Sequence, residues 1–171
     1  MPPIRWFLIV IAALVLAGCS AGTGGLFSRG LATTPGVVDG NTAAAIISEY
    51  RASRGLGPVR VNGRLTRLAE EQAERMAAAD TLAHELPGQV NFKQRVAAGG
   101  YQASLVAENA GAGYDSLETA ISRWRASPSH DQNLLLPEIS EIGIGMAHVP
   151  DSRFGNYWAL VLAAPRGSAG G

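Results

Sequence analysis

The stretch Arg123–Gly145, RWRASPSHDQNLLLPEISEIGIG, contains the change of backbone type that decides the fold. Ser127-Pro128 ends one helix and starts another. Ser127 takes the N-cap position, Pro128 the first helical position, where its missing N–H matters least, and His130 falls in the first turn. Further on, Ile142, Ile144 and Met146 alternate along EIGIGMAHV, the period-two pattern of a strand. YWALVLAAP (157–165) is a continuous apolar run, as expected of a strand buried on both faces. The polar, glycine-containing segment Asp151–Gly155 between them predicts an antiparallel hairpin.

Upstream the pattern is helical. Thr42 can cap a helix with Ala45, Ile46 and Tyr50 on one face, ended by RGLGP. A second helix, about Arg64 to Asp80, places Leu65, Leu68, Ala69, Gln72 and Met76 on one stripe and EEQAER on the other. NFKQRVAAGG predicts a short third helix stopped by Gly99-Gly100, and SLVAENAGAG a short strand running into a glycine loop. Asp115 or Ser116 can cap LETAISRWRAS, which presents Leu117, Ile121 and Trp124 at helical spacing. Helices first and a closing hairpin make the class α+β, with helices layered on a small antiparallel sheet.

Residues 1–18 have the order of a bacterial lipoprotein signal peptide, with Arg5 followed by the apolar run Trp6–Ala17. That run is shorter than the ~20 residues a membrane-spanning helix needs. Leu16-Ala17-Gly18-Cys19 is similar to the bacterial lipobox, which implies acylation of Cys19, with palmitate among the chains, and anchoring to a membrane. Ser20 after it points, by analogy with bacterial sorting, to the outer membrane, on its periplasmic or surface face. Cys19 is the only cysteine, so no intramolecular disulfide can form. Residues 19–40 then comprise the acylated cysteine and a Gly/Ser/Thr-rich flexible tether, 41–165 the folded domain, and 166–171 a disordered tail. Without residues 1–18 the chain carries 13 basic and 14 acidic groups, since Arg5 is the only charge lost. Near-neutrality, with no basic stripe interleaved with aromatics, excludes nucleic acid as the expected partner.

Three polar residues stand at junctions between elements: His84 in TLAHELP, Glu108 in LVAENAG, and His130. Such junctions gather functional groups on a rigid scaffold. Two imidazoles with an ordinary pKa of ~6.5 beside a carboxylate can bind a divalent metal or move protons. Helix-start amides near His130 favour its neutral form, the form a metal needs. His84, His130 and Glu108 could supply the His₂Glu set of a catalytic zinc with an open water position. Against a zinc peptidase, Gly88 in HELPG stands where the metalloprotease helix carries its second histidine. Against a serine hydrolase, Ser127 is explained as a cap and no Gly-x-Ser-x-Gly elbow occurs. The competing reading is a satisfied polar cluster that ties three segments together. Asn109 and Asn133 are expected to hold loop backbone, Trp124 and Trp158 to be core, and His148 to be solvated.

LAH, then AEN, then Trp124 to Leu135, Ile142-Gly143-Ile144-Gly145 and Tyr157-Trp158 together resemble the CAP superfamily, the SCP-like domains of cysteine-rich secretory, antigen 5 and pathogenesis-related proteins. The similarity covers residues 41–165 in the family's order. It implies an α–β–α sandwich with a cleft lined by two histidines and acidic residues, onto which His84, Glu108 and His130 map. Ala107 replaces the usual glycine before Glu-Asn. The second glutamate of the family's tetrad has no counterpart between residues 85 and 107 except Glu85, beside His84. The reading is a lipid-anchored extracytoplasmic binding module, with enzymatic activity left open, whose His84/His130/Glu108 cleft could hold zinc; the ligands the resemblance implies are lipids or sterols, or a protein partner. The alternative is a metal-assisted envelope hydrolase, a peptidase or esterase, with Glu108 or Glu85 as general base.

Overall fold

The computed structural model describes residues 33–167. Ten elements follow one another: β1 (Thr34–Gly36), α1 (Gly40–Ala52), β2 (Arg60–Val61), α2 (Gly63–Ala78), α3 (Phe92–Ala98), β3 (Ala103–Ala112), α4 (Leu117–Ala126), α5 (Pro128–Leu134), β4 (Glu141–His148) and β5 (Asn156–Pro165). The sheet runs β1-β4-β5-β3, and β2 joins the same edge of β4 as β1. All pairings are antiparallel except that of β2 with β4. The expected hairpin is β4–β5, in register from Glu141–Ala163 to His148–Asn156.

Alternation along the strands sorts side chains into two cores. Ile142, Ile144, Trp158, Leu160 and Leu162 face α1, α4 and α5. Ala147, Tyr157, Ala159, Val161 and Ala163 face α2 and α3. The architecture is thus an α–β–α sandwich, as expected. The glycines of Ile142-Gly143-Ile144-Gly145 point to the α2 side, where a Cβ on Gly143 would lie 2.0 Å from backbone atoms of Leu65 and Thr66. One on Gly145 would lie 2.3 Å from the Glu70 amide nitrogen. The helix therefore rests on the strand backbone itself, and the alternation serves a tight helix–sheet contact on one face and an isoleucine core on the other.

The predicted α2 stripe is buried as expected: Leu65, Leu68, Ala69, Gln72 and Met76 all point inward. α3 carries a capping box between Asn91 and Gln94. Ser116 caps α4 by accepting from the Thr119 amide. Four expectations change. α1 starts earlier, because Asp39 accepts from Asn41 N and Thr42 Oγ1 and so takes the cap from Thr42. Its inward face is Ala43, Ala44, Ile47, Tyr50 and Arg51, while Ala45 is exposed; alanines on all sides give that helix little pattern to read. Thr34–Gly36, placed in the flexible tether, pairs with Met146–His148. β3 is a ten-residue strand in which Gly111 stays paired with β5, the pairing running on to Ala112, and only Gly113 follows as a turn with φ 77°. The signal peptide, Cys19, the tether up to residue 32 and residues 168–171 of the tail lie outside the described residues.

The buried Arg51 ties the first helix to the end of α5. Its Nε donates to Gly57 O, Nη1 to Leu134 O and Leu136 O, and Nη2 to Ile139 O, at 2.7–3.0 Å. Burial lowers its pKa, and carbonyl oxygens, two of them in the last turn of α5 or just past it, carry the compensating negative potential.

Candidate functional site

The site is built on β3, the strand at one edge of the sheet. Consecutive residues on a strand face opposite sides. Glu108 accordingly projects toward α3 and Asn109 toward α5, and each binds a histidine-bearing segment on its own side.

Glu108 is only 2% exposed at its side chain. Arg95 of α3 donates Nη2 to Glu108 Oε2 at 3.1 Å and Oε1 at 3.3 Å, and His84 Nδ1 meets Oε1 at 3.0 Å. A buried carboxylate needs such partners, since an unpaired charge in this position would be strongly disfavoured. The His84 loop is fastened by its backbone: Gln72 Nε2 donates to Ala83 O at 2.8 Å, and Arg95 Nη2 to His84 O at 3.0 Å. Gln89 completes the clamp, donating to Gln72 Oε1 while accepting from the Leu86 amide. The His84 ring itself is 55% exposed. Its pKa is raised, chiefly by the hydrogen bond to Glu108, against opposing effects of burial and the Arg95 charge.

On the other side, Asn109 Nδ2 donates to His130 O at 3.1 Å, and Asn133 Nδ2 donates to Asn109 Oδ1 at 2.9 Å. Both asparagines hold backbone or each other, as expected. His130 is half-buried, and its pKa is lowered first by burial and then by the neighbouring His84. Its preference for the neutral form was expected, and desolvation is the main cause. Ser127 occupies the N-cap of α5 without a side-chain cap bond; its hydroxyl lies 3.5 Å from that of Ser129. Trp124 and Trp158 are core, their indole N–H groups bonded to Ala110 O and Tyr114 O. His148 is exposed beside Asn156.

The structure thus joins the His84 ring to Glu108 and holds the His130 backbone on the adjacent Asn109, with one change of role for Glu108. Glu108 is occupied by Arg95 and orients His84, the arrangement in which a carboxylate fixes the tautomer and leaves Nε2 outward for a ligand. Glu85 is exposed and makes no side-chain hydrogen bond among the described residues. Nor do three His, Cys, Asp or Glu side chains converge as a metal set among them. Two imidazole donors fit a divalent metal by chemistry; among the described residues no third ligand is in place.

Sequence reasoning missed Arg95, Gln72 and Gln89 as functional supports. Gln72 carried a signal, being the one amide on an otherwise apolar stripe, where a buried amide demands partners.

An α–β–α sandwich with paired histidines across a Glu-Asn edge strand defines the class of the molecule. The family model described as "Cysteine-rich secretory protein family" (CAP) matches residues 45–162, and the chain belongs to that family. No curated protein matches the sequence. Among solved structures the chain is similar to an outer surface protein from Borrelia burgdorferi, with TM-score 0.66 and 20% identity over 78% of this chain and 100% of that one. It is also similar to an extracellular protein containing an SCP domain from Bacillus anthracis (TM-score 0.63, 19% identity, 72% of this chain and 39% of that). A cysteine-rich secretory protein from Staphylococcus aureus gives TM-score 0.55 and 18% identity over 72% of this chain and 38% of that. The chain spans less than half of the latter two structures, and these likenesses speak to fold.

Proposed function

We propose that this chain is a lipid-anchored, extracytoplasmic binding module, held by an acylated Cys19 at the outer membrane, whose ligand meets His84 and His130. The observation that carries the reading is the commitment of Glu108. Its carboxylate is buried, paired with Arg95 and bonded to His84 Nδ1. A general base must be free to accept a proton from water or substrate, and this one is not. What remains available is a pair of imidazole nitrogens, one on a ring oriented by a carboxylate and one on a ring kept neutral by burial. Zinc suits two such nitrogens, with its other positions open to water or to groups of a partner. Bound there, a zinc ion would supply a point of attachment for anionic or carbonyl groups of that partner. Support for the location comes from the order of residues 5–20 and from membership in a family named for secretion. The lipid, sterol and protein ligands implied by the family resemblance belong to the same reading, approaching the exposed ring of His84.

The test is calorimetric titration of the full chain in non-ionic detergent with zinc at neutral pH, beside the His84→Ala/His130→Ala variant. Stoichiometric binding lost in the variant is expected. An unaltered isotherm in the variant, or zinc-dependent turnover of peptides or esters abolished by Glu108→Gln, would overturn the reading.

A further inference from the structure

A second feature lies between α2 and α3. The outward face of α2 carries Arg64, Arg67 and Arg75 along one stripe with Glu71, and this stripe forms one wall of a cavity of about 380 Å³ closed by the 88–90 turn and by α3. Arg95 lies on another wall. The cavity thus has four arginines and a single carboxylate on its walls. Over eleven residues of helix the stripe extends ~16 Å along one side of the cavity.

Ordinary surface arginines on a helix with Glu70, Glu71 and Glu74 would be expected to pair along it. Here Arg64, Arg67 and Arg75 make no ion pair among the described residues, whose salt bridges involve Arg60, His84 and Arg95. A second observation is independent of charge. Arg95 Nε is the one buried side-chain nitrogen or oxygen without a hydrogen-bond partner among the described residues. The same side chain is 10% exposed and lines the cavity. Buried donors are nearly always satisfied, and this unpartnered one belongs to a side chain that lines the cavity. Guanidinium groups match the oxygens of phosphate in geometry and charge, and several of them around one cavity select for that group over a monocarboxylate.

We propose that this cavity is a binding site for a phosphomonoester, carried either by a small soluble molecule or by a lipid headgroup, separate from the histidine site. The phosphate sits among Arg64, Arg67 and Arg75, with Arg95 closing the inner side.

The experiment titrates the full chain in non-ionic detergent at low ionic strength with glycerol 3-phosphate, and separately with mixed micelles carrying phosphatidic acid, following backbone amide shifts by NMR. Saturable shifts in α2, α3 and the 88–90 turn are expected. In Arg64→Gln/Arg67→Gln/Arg75→Gln the affinity should fall by about tenfold or more, because charge-assisted bonds are lost. These residues are exposed, so the variant keeps the fold, which its spectrum reports directly. Arg54→Gln/Arg123→Gln/Arg153→Gln removes the same charge elsewhere and should leave the affinity within about twofold if the site is local. Saturation by glycerol 3-phosphate alone marks a soluble ligand, whereas preference for the micelles marks a headgroup. No saturable shift with either probe, or equal loss in the two triple variants, would overturn the proposal.

Discussion

Replacing Arg95 by Met removes the cation from a buried pair while keeping most of the side-chain volume that packs on Phe92. The guanidinium carbon stands 5.1 Å from the centroid of that ring. Arg95 and Glu108 are 10% and 2% exposed, with a separation of 3.1 Å. At an effective dielectric of about 20 the attraction at that distance is about 5 kcal/mol. Breaking a buried pair from one side typically costs ~3–5 kcal/mol, because the remaining charge stays buried. For a domain of this size that is a fall in melting temperature of roughly 10–15 °C. The deficit should depend on pH, with a sign set by His84. Its pKa in the folded chain is raised by Glu108. The resulting stabilisation is complete below the unfolded value of ~6.5 and disappears as pH rises through the raised folded value. In the variant His84 becomes the only cation facing Glu108, and the opposing charge of Arg95 is gone, so its pKa rises further. The variant therefore recovers part of its stability on going from pH 8 to pH 5.5. A further tenfold gain in the proton affinity of the ring would return at most about 1.4 kcal/mol, and less because half the ring faces solvent. Thermal melts followed by circular dichroism at both pH values, with chelator present, measure this. A deficit below about 1 kcal/mol at pH 8, or an equal deficit at both values, would refute the account of Glu108 as a carboxylate held mainly by Arg95.

Two further outcomes follow from the structure and one from the sequence. Gly143→Ala places a methyl 2.0 Å from the Leu65–Thr66 backbone and should lower stability to urea by about 3 kcal/mol, at the upper end for overpacking. Gly57→Ala, with nothing within 4 Å, should change it by less than about 1 kcal/mol; equal effects would show that α2 does not rest on β4 as described. Glu108→Gln should move the His84 titration, read from its ring resonances, down toward about 6.5 or below, and an unmoved midpoint would remove Glu108 as the cause. Cys19→Ala should shift the chain from the membrane to the soluble fraction and abolish incorporation of labelled palmitate, and a variant still labelled would refute anchoring through that residue.

The hairpin, the α2 stripe and the break at Ser127-Pro128 were legible because each follows from a local rule: a period, a cap, a fixed φ. What escaped notice depended on partners distant in sequence. α1 is so rich in alanine that its inward face is set by where Arg51 finds carbonyls some eighty residues on, at Leu134, Leu136 and Ile139. β1 has only three residues, Thr-Pro-Gly, and no apolar pattern; its place on β4 is set by backbone pairing, which a three-residue segment does not announce. Gly111 and Gly113 suggested a loop, yet Gly111 lies in the strand, paired with Trp158, and is glycine because a side chain there would meet Tyr114 at 2.4 Å. Of the site, the three chemically distinctive side chains could be found by type and position. Arg95 could not, since one arginine on a short amphipathic helix looks the same whether it faces water or a buried carboxylate.

The adjacency of Glu108 and Asn109 has a structural reason that neither residue suggests alone. On an edge strand with helices on both faces, two neighbouring positions reach two different layers. Glu108 takes the α3 side, where Arg95 and the His84 loop converge on its oxygens. Asn109 takes the α5 side, where its amide donates to His130 O and accepts from Asn133. A charge suits the first side because Arg95 and His84 can both answer it. A neutral amide suits the second because it must donate and accept at once, which a carboxylate cannot do when ionised. The pair therefore fixes the two histidine-bearing segments to one short length of β3 from opposite faces. A register slip of one residue would exchange the two faces and deprive both segments of their partners. The placement of the two segments is thereby tied to the pairing of β3 with β5, an interior strand of the sheet. A site assembled from three separate segments thus takes its rigidity from the centre of the fold.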